Sequence, residues 1–150
     1  EEVCIACRLC EVHCLVAHSR SKDIIKAYKR ETPRAVPRIH LEAKGGLSFA
    51  LSCRHCDEPS CVHACLTGAL KKDPVTGIVA IDTEKCVGCW TCVLFCQYGA
   101  ITPDVERGVA TKCDFCPHLK EPACVTNCPN EALLLIEDAV VSPPKEPSYA

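Results

Sequence analysis

Aromatic residues make up only 5% of this 150-residue chain, with a single tryptophan. No stretch approaches the roughly 20 consecutive apolar residues of a membrane span. The first scarcity excludes a large conventional core, and the second excludes a direct membrane span. No leading apolar segment resembles a signal peptide, so a reducing, cytoplasmic setting is the expectation. The chain begins at Glu1 without Met, and an N-terminal piece is expected to be missing. Catalytic signatures are absent too. There is no CxxxCxxC radical triplet, no GxGxxG or phosphate loop, no HExxH, and no cysteine left over from the groups described below to act as a nucleophile. A chain that performs chemistry alone is therefore not expected, and no catalytic residue is assigned.

What is abundant is cysteine. Sixteen occur in 150 residues, and without them the 48% hydrophobic content falls to about 37%. So thin a core needs a staple, and small units are stapled by disulfides or by metals. Spacing separates the two. The cysteines fall into four tight quartets: Cys4, Cys7, Cys10, Cys14; Cys53, Cys56, Cys61, Cys65; Cys86, Cys89, Cys92, Cys96; and Cys113, Cys116, Cys124, Cys128. A disulfide framework has no need of quartets, whereas a four-coordinate metal or cluster needs one every time. Zinc sites pair distant CxxC motifs, often with histidine, while each quartet here is complete within a short stretch. The first and third have the spacing CxxCxxCxxxC, the bacterial ferredoxin run, in which three close cysteines grip one cube and the fourth reaches another. The second and fourth lengthen the middle to four residues (57–60) and seven (117–123). The expected cofactors are thus four [4Fe-4S] clusters. Sixteen thiolates around four dicationic cores would take the formal charge from -2 to about -10.

A repeat runs through the same segments. Cys65 leads into Leu66-Thr67-Gly68-Ala69-Leu70, Cys96 into Gln97-Tyr98-Gly99-Ala100-Ile101, and Cys128 into Pro129-Asn130-Glu131-Ala132-Leu133. The unit reads as cluster loop, short helix, tight turn and strand. The first quartet departs from it, since Cys14 leads into Leu15-Val16-Ala17-His18 and a basic insertion. With four sulfurs in every quartet, His13, His18, His40, His55, His63 and His118 are expected at the surface or beside the clusters. Those inside quartets (His13, His55, His63) are candidates to tune a cluster through N–H bonds to sulfur. Trp90, Phe95 and Phe115 are expected to pack against clusters and exclude water.

In the insertion, Lys22 to Arg30 predicts a short amphipathic helix with Ile24, Ile25 and Tyr28 inward. Arg38 to Glu42 and Leu47 to Leu51 predict a hairpin turning at Gly45-Gly46. The insertion is too polar for a core of its own and is expected over the cluster body or on a partner. Among its Lys and Arg from Leu15 to Lys44 stands a single aromatic, Tyr28, which argues for a docking face and against nucleic acid. Residues 142–147 are expected to form an extended arm.

The order of the four spacings, from Cys4 to Cys128, resembles the four-cluster iron–sulfur subunits of the dimethyl sulfoxide reductase electron-transfer family. Within it, Cys7-Arg8-Leu9-Cys10-Glu11, Ser19-Arg20-Ser21-Lys22-Asp23 and Gly88-Cys89-Trp90 look most like the ferredoxin-like partner of anaerobic nickel carbon monoxide dehydrogenase. Small polyferredoxins of tungsten aldehyde oxidoreductases, hydrogenases and molybdopterin enzymes are the alternatives. The resemblance implies nested ligation: Cys4, Cys7, Cys10 with Cys128; Cys113, Cys116, Cys124 with Cys14; Cys53, Cys56, Cys61 with Cys96; and Cys86, Cys89, Cys92 with Cys65. It implies an α+β fold of two ferredoxin-like modules in pseudo-symmetric tandem, with a basic helix and hairpin inserted. Residues 1–14 plus 103–136 would form the first module, 53–102 the second, 15–52 the insertion and 137–150 a tail. The implied function is electron relay between a catalytic oxidoreductase subunit and a second redox protein or flavin subunit. A cluster-bearing scaffold or redox sensor is the rival of another class.

Overall fold

The computed structural model describes residues 2–135, so the expected tail at 137–150 lies outside the described residues. Among them no helix is long and apolar enough to cross a membrane. Within the described residues, five helices and three two-stranded antiparallel sheets follow one another. The helices are α1 (Leu9–His18), α2 (Ile24–Lys29), α3 (Ser60–His63), α4 (Thr91–Phe95) and α5 (Ala123–Thr126). The strands are β1 (Ile39–Lys44), β2 (Leu47–Ser52), β3 (Leu70–Lys72), β4 (Val79–Ile81), β5 (Thr102–Asp104) and β6 (Val109–Thr111). Each sheet is one hairpin, β1 with β2, β3 with β4 and β5 with β6.

None of these elements is long enough to be stable alone, and the packing that holds them is cysteine-rich. One core joins Leu70, Val79, Cys92, Ile101 and Ala110, with Cys61, Cys65, Cys86, Cys96 and Trp90 against it. A second joins Cys10, Cys14, Ile39 and Leu41, flanked by Cys4, Ala50, Cys124 and Leu133. Helix contacts divide the same way, α1 packing on α5 and α3 on α4. The helices of the first and fourth quartets thus share one core, and those of the second and third share the other.

Residues 15–52 pack against the cysteine-bearing helix α1. Their hairpin turns at Gly45 and Gly46, and alternate residues Ile39 and Leu41 enter the second core, as the sequence predicts. The helix differs from expectation. Ile24 and Ile25 are exposed, and the fully buried Ala27 packs instead against Leu15 and Ala35. In so short a helix only one face meets the body, and a methyl side chain allows the closest approach. The β5–β6 hairpin packs through Ala110 into the core of the second and third quartets, so the expected boundary between 102 and 103 falls inside it.

Candidate metal centres

All four quartets begin with the same backbone turn. The residue before the second cysteine is left-handed in each: Ala6 (φ 54°), His55 (φ 48°), Gly88 (φ 64°) and Phe115 (φ 59°). In the two CxxCxxC loops the residue after that cysteine is left-handed as well, Arg8 at 60° and Trp90 at 59°, and each opens a helix. A non-glycine residue in this region costs roughly 1–2 kcal/mol. Repeated at matching positions, the strain marks a conformation imposed by function, one that turns successive N–H groups inward to form an anion-binding concavity.

N–H donors reach the sulfurs directly. The tight turns after the second, third and fourth quartets aim Leu70 N at Cys65 Sγ (3.4 Å), Ala100 N at Cys96 Sγ (3.3 Å) and Ala132 N at Cys128 Sγ (3.2 Å). After Cys14 there is no turn, because α1 runs on to His18. The insertion substitutes: Arg38 N, just before β1, donates to Cys14 Sγ at 3.2 Å.

The thiols gather in sets that interleave the quartets. Cys4, Cys7, Cys10 and Cys128 line one cavity of about 180 Å³, with Leu41, Ala50 and Leu133. Cys65, Cys86, Cys89 and Cys92 line another with Trp90. Between these, the Cys61 thiol has Cys53, Cys96 and Cys56 as its sulfur neighbours, and the Cys14 thiol has Cys124, Cys116 and Cys113. All sixteen are free thiols. His55 of the second quartet stacks on Phe115 of the fourth, ring centroids 4.3 Å apart, so these two middle sets abut. Cys7 and Cys89, at equivalent positions of the outer sets, are the exposed members.

Burial pushes the Cys14 thiol up to about 12 and the Cys92 and Cys124 thiols to about 11, and it raises Cys113 and Cys116 as well. At the outer sets, Ser48 lowers the Cys4 thiol and the Thr91 hydroxyl lowers Cys89. His18 and Arg38 converge on Asp114 beside the fourth quartet, His18 Nε2 at 3.1 Å from its carboxylate, and hold it ionised against the effect of burial. His18 Nδ1 also lies 2.8 Å from Cys14 O, which ties α1, the insertion and the Cys113 loop together. His40 bonds Thr102, and His118 bonds Ala17 O. His63 is exposed, as is Phe95 at 55%, so Phe95 does not pack inward as expected; Trp90 does.

The family of 4Fe-4S dicluster domains matches residues 46–138. The chain belongs to that family. It is 36% identical over 151 residues to the electron transport protein HydN of Escherichia coli K12, an alignment covering 89% of this chain and 83% of HydN. It is 35% identical over 150 residues to an iron-sulfur protein of Rhodospirillum rubrum, covering 89% and 77%. The thiosulfate reductase electron transfer subunit PhsB of Salmonella typhi is 35% identical over 140 residues, covering 89% and 70%.

The residues fit the cofactor that this family carries. Burial disfavours the bare thiolates of Cys14, Cys92 and Cys124, whereas coordination to iron would deprotonate such thiols outright and supply the positive charge that water does not. His55 gives a second sign. Its Nδ1 accepts from Val79 N at 2.9 Å, so the proton sits on Nε2, and that atom is buried without a protein partner. Burial lowers this histidine to about 4, which keeps it neutral. A neutral imidazole with a spare N–H inside a CxxC loop suits a sulfur acceptor. Sequence reasoning identified the cysteines and the histidine candidates but gave no sign of Arg38, Asp114 or Lys112.

Proposed function

We propose that the chain is a non-catalytic electron-transfer subunit that binds four [4Fe-4S] clusters. Their ligand sets are Cys4/Cys7/Cys10/Cys128, Cys14/Cys113/Cys116/Cys124, Cys53/Cys56/Cys61/Cys96 and Cys65/Cys86/Cys89/Cys92. The observation that supports this reading is the interleaving of the thiols: α1 packs on α5 and α3 on α4, Cys128 shares a cavity with Cys4, Cys7 and Cys10, and Cys65 shares another with Cys86, Cys89 and Cys92. It supports a reading of two dicluster modules in tandem, the first of which takes in the β1–β2 hairpin.

When bound, a cubane of this type supplies a one-electron couple, within a range of about -700 to +450 mV. The chain's own residues do the rest. Left-handed loop residues and turn amides direct N–H groups at sulfur, which stabilises the reduced, more negative state. Aliphatic residues exclude water from the middle sets. Exposed Cys7 and Cys89 mark where electrons enter and leave, each beside exposed apolar residues that a redox partner would cover: Val3 and Ile5 at one end, Leu66, Val87 and Leu94 at the other. One partner is a catalytic oxidoreductase subunit and the other a second redox protein or flavin subunit. Carbon monoxide dehydrogenase is the catalytic partner favoured by the Cys7–Glu11 and Gly88–Trp90 motifs, ahead of a tungsten aldehyde oxidoreductase, hydrogenase or molybdopterin enzyme.

Anaerobic assay of iron and acid-labile sulfide tests the cofactor, with about sixteen of each per chain expected. Zinc without sulfide would sink the reading. Reduction of every cluster by a co-purifying catalytic subunit at a turnover-competent rate separates a relay from a scaffold or sensor, which need not accept electrons at that speed.

A further inference from the structure

Where the two middle sets meet, the chain buries a cation. Lys112 is 3% exposed, and its ammonium donates to Val79 O and to Cys113 O (2.7 Å). Among the described residues no carboxylate pairs with it. The neighbouring cations do have partners, Lys72 with Asp57 and Arg38 with Asp114. A buried ammonium held only by carbonyls is costly unless a negative charge lies near. Its position names that charge. Through Cys113 it touches the first ligand of one middle set. Through Val79, whose N–H bonds His55 between Cys53 and Cys56, it adjoins the other. At the outer sets hydroxyls take the corresponding places: Thr91 Oγ1 donates to Cys89 Sγ at 3.4 Å and Ser48 Oγ to Cys4 O at 2.9 Å.

Resting on the four-set ligation proposed above, we propose that Lys112 is a fixed buried cation that raises the reduction potentials of the two middle clusters and leaves the outer two nearly unchanged. Each added electron makes a thiolate-bound cluster more negative by one charge, so a cation placed between the middle pair favours their reduced states. The electron would come from the outer cluster, oxidised as the middle one is reduced, and no bond would form or break.

The test is an anaerobic redox titration of the whole chain, followed by electron paramagnetic resonance. It compares wild type, Lys112→Gln, which retains N–H donors without charge, and Lys112→Arg, which retains the charge. Iron and sulfide are counted first, and Cys61→Ser and Cys124→Ser mark the signals of the middle sets. In Lys112→Gln those two signals should move to lower potential by about tenfold in the reduction equilibrium, 59 mV for a one-electron step. Lys112→Arg should restore them. No shift, an equal shift of all four signals, or an equal shift in Lys112→Arg overturns the proposal. Failure of Lys112→Gln to load clusters that Lys112→Arg loads would show a charge needed for assembly and overturn tuning, and so would failure of both. A wild-type count short of four clusters removes the four-set ligation itself, a failure distinct from unshifted potentials on a full count.

Discussion

Gly88 and Gly99 have the same backbone angle, φ 64°, in different surroundings. A Cβ on Gly88 would lie 2.5 Å from the carbonyl oxygen of Gly108 in the β5–β6 turn, whereas one on Gly99 would meet nothing within 4 Å. Gly99→Ala should therefore cost only the left-handed conformation, about 1 kcal/mol. Gly88→Ala should cost a further 1–3 kcal/mol or so, because backbone must move. Thermal melts of the two loaded variants check this, and equal losses would show that the close approach does not matter. The pair shows how far residue-level reading reaches. Three of the four positions equivalent to Gly88 carry Ala, His or Phe, so the loop itself does not demand glycine. Only the neighbouring turn does, and it lies twenty residues further along the chain.

At the scale of elements, the hairpin β1–β2 was legible because Gly45-Gly46 separates two alternating runs. Helix α2 was legible as a helix but not in its facing: six residues hold too little periodicity to choose between Ile24, Ile25 and Ala27. Nor could sequence reveal that the insertion stands in for a missing turn. Where α1 continues past Cys14, Arg38 N supplies the bond to sulfur that Leu70, Ala100 and Ala132 supply elsewhere. The hairpin should thus matter most to the sets that contain Cys10 and Cys14. Leu41, 2% exposed against those cysteines, provides the probe. Leu41→Ala should lower stability by about 3 kcal/mol in denaturant titration. Iron should be released from the Cys4 and Cys113 sets before the Cys86 set, as followed by the loss of separate resonance signals. Simultaneous loss from all sets would mean that the hairpin supports the molecule as a whole.

At the scale of the molecule, the proposed ligand sets would tie distant segments together, the first ten residues to Cys128 and Cys14 to residues 113–124. Cys128→Ala should cost the cluster held by Cys4, Cys7 and Cys10, about four of sixteen iron atoms; loss from the Cys53 or Cys86 sets instead would break the nested assignment. With so little aliphatic core, stripping iron anaerobically with a chelator should collapse the helical circular dichroism along with the visible absorbance. A folded apo-protein would show that the side chains suffice alone. The sequence by itself determined the number and type of the sulfur ligands, because coordination chemistry imposes CxxC and CxxxC spacings on the chain locally. It also marked the tight turns after the second, third and fourth quartets, through the repeat that follows Cys65, Cys96 and Cys128. Which quartets lie side by side was decided only by tertiary packing, α1 on α5 and α3 on α4. The two Lys-Cys pairs make the same point: Lys85 before Cys86 is exposed and bound to Asp82, while Lys112 before Cys113 is buried between the middle sets. The dipeptides are identical; what differs is the neighbouring chain that folds over one of them and shields its charge from water.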